Sequence, residues 1–192
     1  MKKTLLTTAA VLGTLAIGAG VSAAEIDTNT TDGTVGFTTP ADGALTLTEV
    51  ADLDFGNNPI SADDEEYGNK TAAKTSVQDI RGTLAGWTVQ VAQEAQFKNG
   101  DSELENAQIT FVTPTLDADS QGTATVSENV ALKPTGETAT ILTAANGEGA
   151  GKTVELFDTD SVTLSVPGDT SKVIGSYSTT LTWSLNDTVD NA

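Results

Sequence analysis

Apolar and polar residues alternate one by one along short stretches of this chain, and no long stretch keeps a helical period. The alternation is clear at Val35-Gly-Phe37, Leu45-Thr-Leu47, Trp87-Thr-Val-Gln-Val91 and Ala107-Gln-Ile-Thr-Phe111. It resumes at Val154-Glu-Leu156, at Val162-Thr-Leu-Ser-Val166, and from Tyr177 to Leu185. Successive side chains on a strand point to opposite faces, so a period of two rich in Thr and Val predicts half-buried strands. Turn signals lie between them: Asp32-Gly33, Asp42-Gly43, Asn57-Asn58-Pro59, Asn99-Gly100, Asn146-Gly147 and Pro167-Gly168-Asp169. Asn99-Gly100 is the strongest of these. Only Ser127 to Leu132 could form a short turn of helix, and Ala62 to Glu66 reads as an acidic, solvated loop. The pattern predicts an all-β fold, a single β-sandwich or barrel-like domain of short antiparallel strands.

The N-terminus breaks this pattern. Lys2 and Lys3 precede an uncharged apolar and small-residue run from Leu5 to Val21, and Ser22-Ala23-Ala24 offers small residues for cleavage. That order reads as a secretory signal peptide over residues 1–24. The run is too short, and too interrupted by Gly13, Gly18 and Gly20, to read as a retained anchor. Residues 25–34, rich in Thr and short polar side chains, read as a flexible lead-in, and 35–192 as the β domain. Nothing after the signal peptide is apolar enough to span a membrane, so the mature protein is expected to carry no membrane span.

Charge narrows the partners. The chain has 9 basic and 27 acidic residues, a net charge of −18. Cleavage after Ala24 removes two lysines and leaves 168 residues with a net charge of −20. Nucleic acid is excluded as a partner, because nothing here neutralises a row of phosphates. With no cysteine, the chain must be held by its core, which fits bacterial export better than a disulfide scaffold. With neither His nor Cys, no His-based triad, Cys nucleophile or typical zinc site can be built. No pair of carboxylates stands out as a glycosidase pair, and the chain is not read as an enzyme.

The two tryptophans of the chain, Trp87 and Trp183, stand in matching settings, Trp-Thr-Val and Trp-Ser-Leu. Period two puts Trp87 on one face with Val89 and Val91, and Trp183 with Tyr177, Leu181 and Leu185. That makes them core residues first and glycan-stacking residues second. Asp79 and Arg81, the only arginine, read as a structural ion pair or turn clamp near the start of the Trp87 strand. The alternative for the pair is contact with a glycan or a peptide-stem carboxylate. Asp117, Asp119 and Glu128, with Gly122 between, are spaced nearly as in a calcium loop, but strand-like flanks argue against an EF-hand. No metal or other cofactor is assigned, a divalent cation being the weak candidate. An internal Lys–Asn isopeptide cross-link would need both residues buried beside an acid.

Taken together, certain segments resemble a known family. They are Leu53-Asp-Phe-Gly56, Val77-Gln-Asp-Ile-Arg-Gly-Thr83, Gly86-Trp-Thr-Val89, Asn99-Gly100, Ala107-Gln-Ile-Thr110 and Tyr177-Ser-Thr-Thr-Leu-Thr-Trp-Ser-Leu185. From about Gly33 to Asp187 the chain resembles the WxL-domain surface proteins of low-GC Gram-positive bacteria. Val89 stands where the family pattern has Leu, an exchange that an apolar strand face tolerates at modest cost. The resemblance implies a secreted, non-enzymatic protein held non-covalently on the cell wall by peptidoglycan. It also implies other WxL proteins and companion surface proteins as partners. The absence of a Leu-Pro-x-Thr-Gly sequence agrees with non-covalent attachment. A docking module that binds companion proteins and reaches the wall only indirectly is the alternative.

Overall fold

The computed structural model describes residues 29–187, and the expected signal peptide lies outside them. The chain divides into two units, Met1–Gly36 and Phe37–Ala192. In the first, residues 29–36 are exposed and have no regular secondary structure. In the second, the strands run β1 (Leu45–Glu49), β2 (Glu65–Gly68), β3 (Ala73–Asp79), β4 (Trp87–Gln93), β5 (Lys98–Asn99), β6 (Ser102–Glu103) and β7 (Gln108–Phe111). Then come β8 (Thr115–Leu116), β9 (Thr125–Val126), β10 (Val130–Ala131), β11 (Thr138–Ala144), β12 (Gly151–Phe157), β13 (Val162–Val166) and β14 (Leu181–Asp187). All pairings are antiparallel, and no helix forms among the described residues.

Three four-stranded sheets, ordered β1-β3-β12-β8, β10-β7-β13-β2 and β14-β4-β11-β9, share one hydrophobic core, and β5-β6 forms a separate hairpin. In that core one aromatic ring from each sheet meets the other two. Phe111 on β7, Phe157 on β12 and Trp183 on β14 pack with ring centroids 5.2, 6.0 and 6.4 Å apart. In the third sheet a bulge between Thr140 and Leu142 inserts an extra residue, so the consecutive Ile141 and Leu142 are both fully buried.

The expected strands at Leu45, Trp87, Ala107 and Val162 form as β1, β4, β7 and β13, and Asn99-Gly100 opens the β5-β6 hairpin. Five expectations need correction. Val35-Gly-Phe37 has the period but forms no strand, and its two apolar side chains are 78% and 90% exposed. Ser127 to Leu132 makes no helical turn: Val130 and Ala131 pair with Phe111 and Thr110, and Asn129 takes a left-handed φ of 55° that breaks a helix. Glu65 and Glu66, read as loop, pair with Val166 and Ser165 on β13. The last strand begins at Leu181, so Tyr177 precedes it. Val154-Glu-Leu156 forms within β12, but with Glu155 pointing inward. Phe157 sets the facing, because its larger apolar surface takes the core side together with Thr153 and Glu155.

Candidate functional site

Trp87 opens β4 and is fully buried with Val89 and Val91. Its indole N–H donates to the Gly149 carbonyl at 3.2 Å, which satisfies the one polar group that burial would otherwise leave unpaired. Gly149 permits this closeness. A β-carbon there would lie 2.5 Å from the indole nitrogen, and its φ of 77° already favours glycine.

Cross-strand pairing puts Trp183 opposite Val91, Leu185 opposite Val89, and Asp187 opposite Trp87. Paired residues share a face, so Trp87, Val89, Trp183 and Leu185 form one inward-facing patch. Trp183 is half-buried and set against Phe111 edge to face, at 84°. The two tryptophans thus lie on neighbouring strands without being opposite one another. Tyr177 is half-buried in the loop before β14, where its hydroxyl accepts a hydrogen bond from Val173 N at 2.9 Å.

Arg81 closes the same end of the sheet. Its guanidinium grips the Asp79 carboxylate with two hydrogen bonds, at 3.0 and 2.8 Å, and donates to the Gly86 carbonyl at 2.8 Å. It also pairs with Asp187, at the end of β14. Burial pushes the Asp79 pKa up, but hydrogen bonds and charge from Arg81 outweigh that and hold it below the ordinary carboxylate value. The Arg81 pKa is pushed up, first by its hydrogen bond to Asp79. One side chain therefore joins the end of β3, the residue before Trp87 and the strand that carries Trp183. Gly86 completes the join: with φ at 76°, it comes so close to β11 that a β-carbon would lie 2.5 Å from the Ala144 carbonyl.

The calcium-like spacing has a different use. Asp117 Oδ1 accepts from Asp119 N at 2.8 Å, and Gln121 Oε1 accepts from Lys152 N at 3.0 Å, which pins this loop along β12. Asp117, Asp119 and Glu128 are not brought together, and the described residues hold no cluster of three or more His, Cys, Asp or Glu side chains that could bind a metal.

Two of the segments quoted above for the resemblance, residues 77–83 and 86–89, meet in this clamp, and β14, which carries the last of them, is tied to it through Asp187. The family profile of the WxL domain, described as surface and cell wall-binding, matches residues 25–188. The chain belongs to the WxL family. No curated protein matches it. The family is one of wall-binding domains and not of enzymes, and it assigns this chain to the cell surface, in association with the wall.

Two features of this WxL domain escape a reading of the sequence. Glu155 is fully buried, neither carboxylate oxygen has a hydrogen-bond partner, and burial pushes its pKa up to about 8. It is not part of an isopeptide triad. No lysine among the described residues is buried, and half-buried Lys172 directs its ammonium at the carbonyls of Ser61, Pro167, Gly168 and Thr170, at 2.8 to 3.4 Å. The second is the outer face of the WxL sheet, where Gln90 donates to Thr140 Oγ1 and accepts from Asn186 Nδ2, both at 3.1 Å. Alternation shows that these residues face outward but not that they touch, because cross-strand register is absent from a single sequence.

Proposed function

We propose that this WxL domain attaches non-covalently to the cell wall by binding peptidoglycan directly, and serves there as a component of surface protein complexes. Export through a signal peptide over residues 1–24, removed from the mature protein, belongs to this reading. The family match over residues 25–188 carries it. The geometry supports a binding domain in which the motif residues act as framework. Trp87, Val89 and Leu185 face inward, Trp183 packs its ring against Phe111, and Arg81 is consumed by contacts within the chain. Such a framework leaves recognition to short-range contacts elsewhere on the surface.

One observation favours docking onto companion proteins as a second reading. Ile174 is 93% exposed, and Val173 and Ile60 are also exposed. The Lys172 ammonium, bonded to Ser61 O, ties their two loops together. Large apolar side chains gathered at one end of a surface are a mark of protein interaction sites.

The test is sedimentation of the mature protein with purified peptidoglycan free of other proteins. Direct binding predicts that the protein pellets with the sugar. A protein that stays in the supernatant, yet is captured by a companion surface protein, refutes direct binding and supports docking.

A further inference from the structure

The middle residues of the two WxL motifs, Thr88 and Ser184, point away from the core. Thr88 is paired with Asn186 on one side and Thr143 on the other, and Ser184 with Gln90, which is paired in turn with Thr140. These side chains stand on the outer face of the β14-β4-β11-β9 sheet, where they are exposed or half-buried. Every one is a hydroxyl or an amide. No strand of this sheet puts an Asp, Glu, Lys or Arg on that face. The acid nearest in sequence, Asp187 at the end of β14, is in register with the inward-facing Trp87 and is paired with Arg81. Glu94 and Glu137 lie just beyond the other end of β4 and β11.

An uncharged face is unexpected on a chain that carries a net charge of −18. It is also rigid. The Gln90 amide is held from both sides, by Thr140 and Asn186, and the inner side of its strand is anchored by the fully buried Trp87, Val89 and Val91. A preorganised ladder of hydroxyls and amides matches a ligand that offers hydroxyl and acetamido groups and no charge. A polyanion gains nothing from such a face and is repelled by the rest of the molecule.

We propose that the outer face of this sheet is the wall-contacting surface, and that its ligand is the uncharged glycan strand of peptidoglycan, not the anionic polymers attached to the wall. This inference rests on the direct-binding reading above. It gives the motifs two sides: the tryptophans hold the strands from within, and the residue after each tryptophan faces the sugar.

Two charged variants of the mature protein test it, each first checked for a wild-type unfolding midpoint. Ser184→Glu combined with Thr143→Glu puts two like charges on the face, and Thr163→Glu puts one on the outer face of a different sheet. Both are sedimented with peptidoglycan stripped of protein and anionic polymer. The face variant is expected to lose roughly tenfold or more in affinity, and Thr163→Glu to bind as wild type. If the face variant does not fold, Gln90→Ala serves in its place with the same expectation. A folded face variant that binds as wild type overturns the proposal and leaves direct binding intact. A wild-type protein that does not sediment overturns direct binding itself. In competition, an uncharged acetamido-sugar oligosaccharide is expected to release the protein. Release by an anionic wall polymer alone would overturn the ligand assignment.

Discussion

Glu155 makes the stability of this domain depend on pH. Its folded pKa, about 8, lies well above that of an exposed glutamate, so the native state holds a proton that the unfolded chain releases. The associated stability is complete below the unfolded value and is lost as pH rises through the folded one. Thermal unfolding should therefore show a midpoint that falls between pH 5 and pH 9, by an amount on the order of a few kcal/mol in stability. Glu155→Gln should flatten that slope, and a slope left unchanged would assign the effect to another group. Asp79 acts in the opposite sense. Its lowered pKa stabilises the fold above the ordinary carboxylate range, and that contribution disappears as strong acid protonates it. Removing its partner should cost on the order of 3 kcal/mol in Arg81→Ala, read from denaturant unfolding, since a mostly buried carboxylate loses its counter-charge. A loss within the range of an exposed surface pair, about 1 kcal/mol or less, would contradict the clamp.

At the level of elements, the sequence already held the strands that alternate cleanly, and those of the first WxL motif came with the correct facing. It did not hold partners. Asp187 lies 106 positions from Arg81, and only folding brings β14 beside β4 to make that pair. Glu155 was misplaced because alternation cannot tell which face of a strand is inward when both carry bulky residues; Phe157, at the strand end, decided it. Val35 and Phe37 show the converse, a strand pattern that forms no strand. Because Arg81 holds the end of β14, hydrogen exchange should detect the clamp locally. Arg81→Ala should speed exchange most at Asn186 and Asp187 and at the start of β4, before any global unfolding. Uniform acceleration across all three sheets would show that the clamp has no local role.

At the level of the whole molecule, charge governs how this domain meets a wall. The mature protein carries a net charge of −20 on the expected cleavage, and anionic wall polymers should repel it over a Debye length, about 8 Å at physiological salt. Attachment must then come from short-range contacts, and its strength should rise at mildly acidic pH or with divalent cations that screen the repulsion. Pull-down on intact wall at neutral and acidic pH, with and without chelator, measures this; equal binding in all four conditions would contradict it. The central claim remains that the motif tryptophans are framework and that the wall is contacted elsewhere. Trp183, half-buried at the meeting point of three sheets, is the more exacting of the two to test. The deciding measurement is the unfolding midpoint of Trp183→Phe together with its peptidoglycan affinity per folded molecule. The account predicts a lowered midpoint and wild-type affinity among molecules that remain folded. A variant of wild-type stability that no longer binds would place Trp183 on the wall-binding surface.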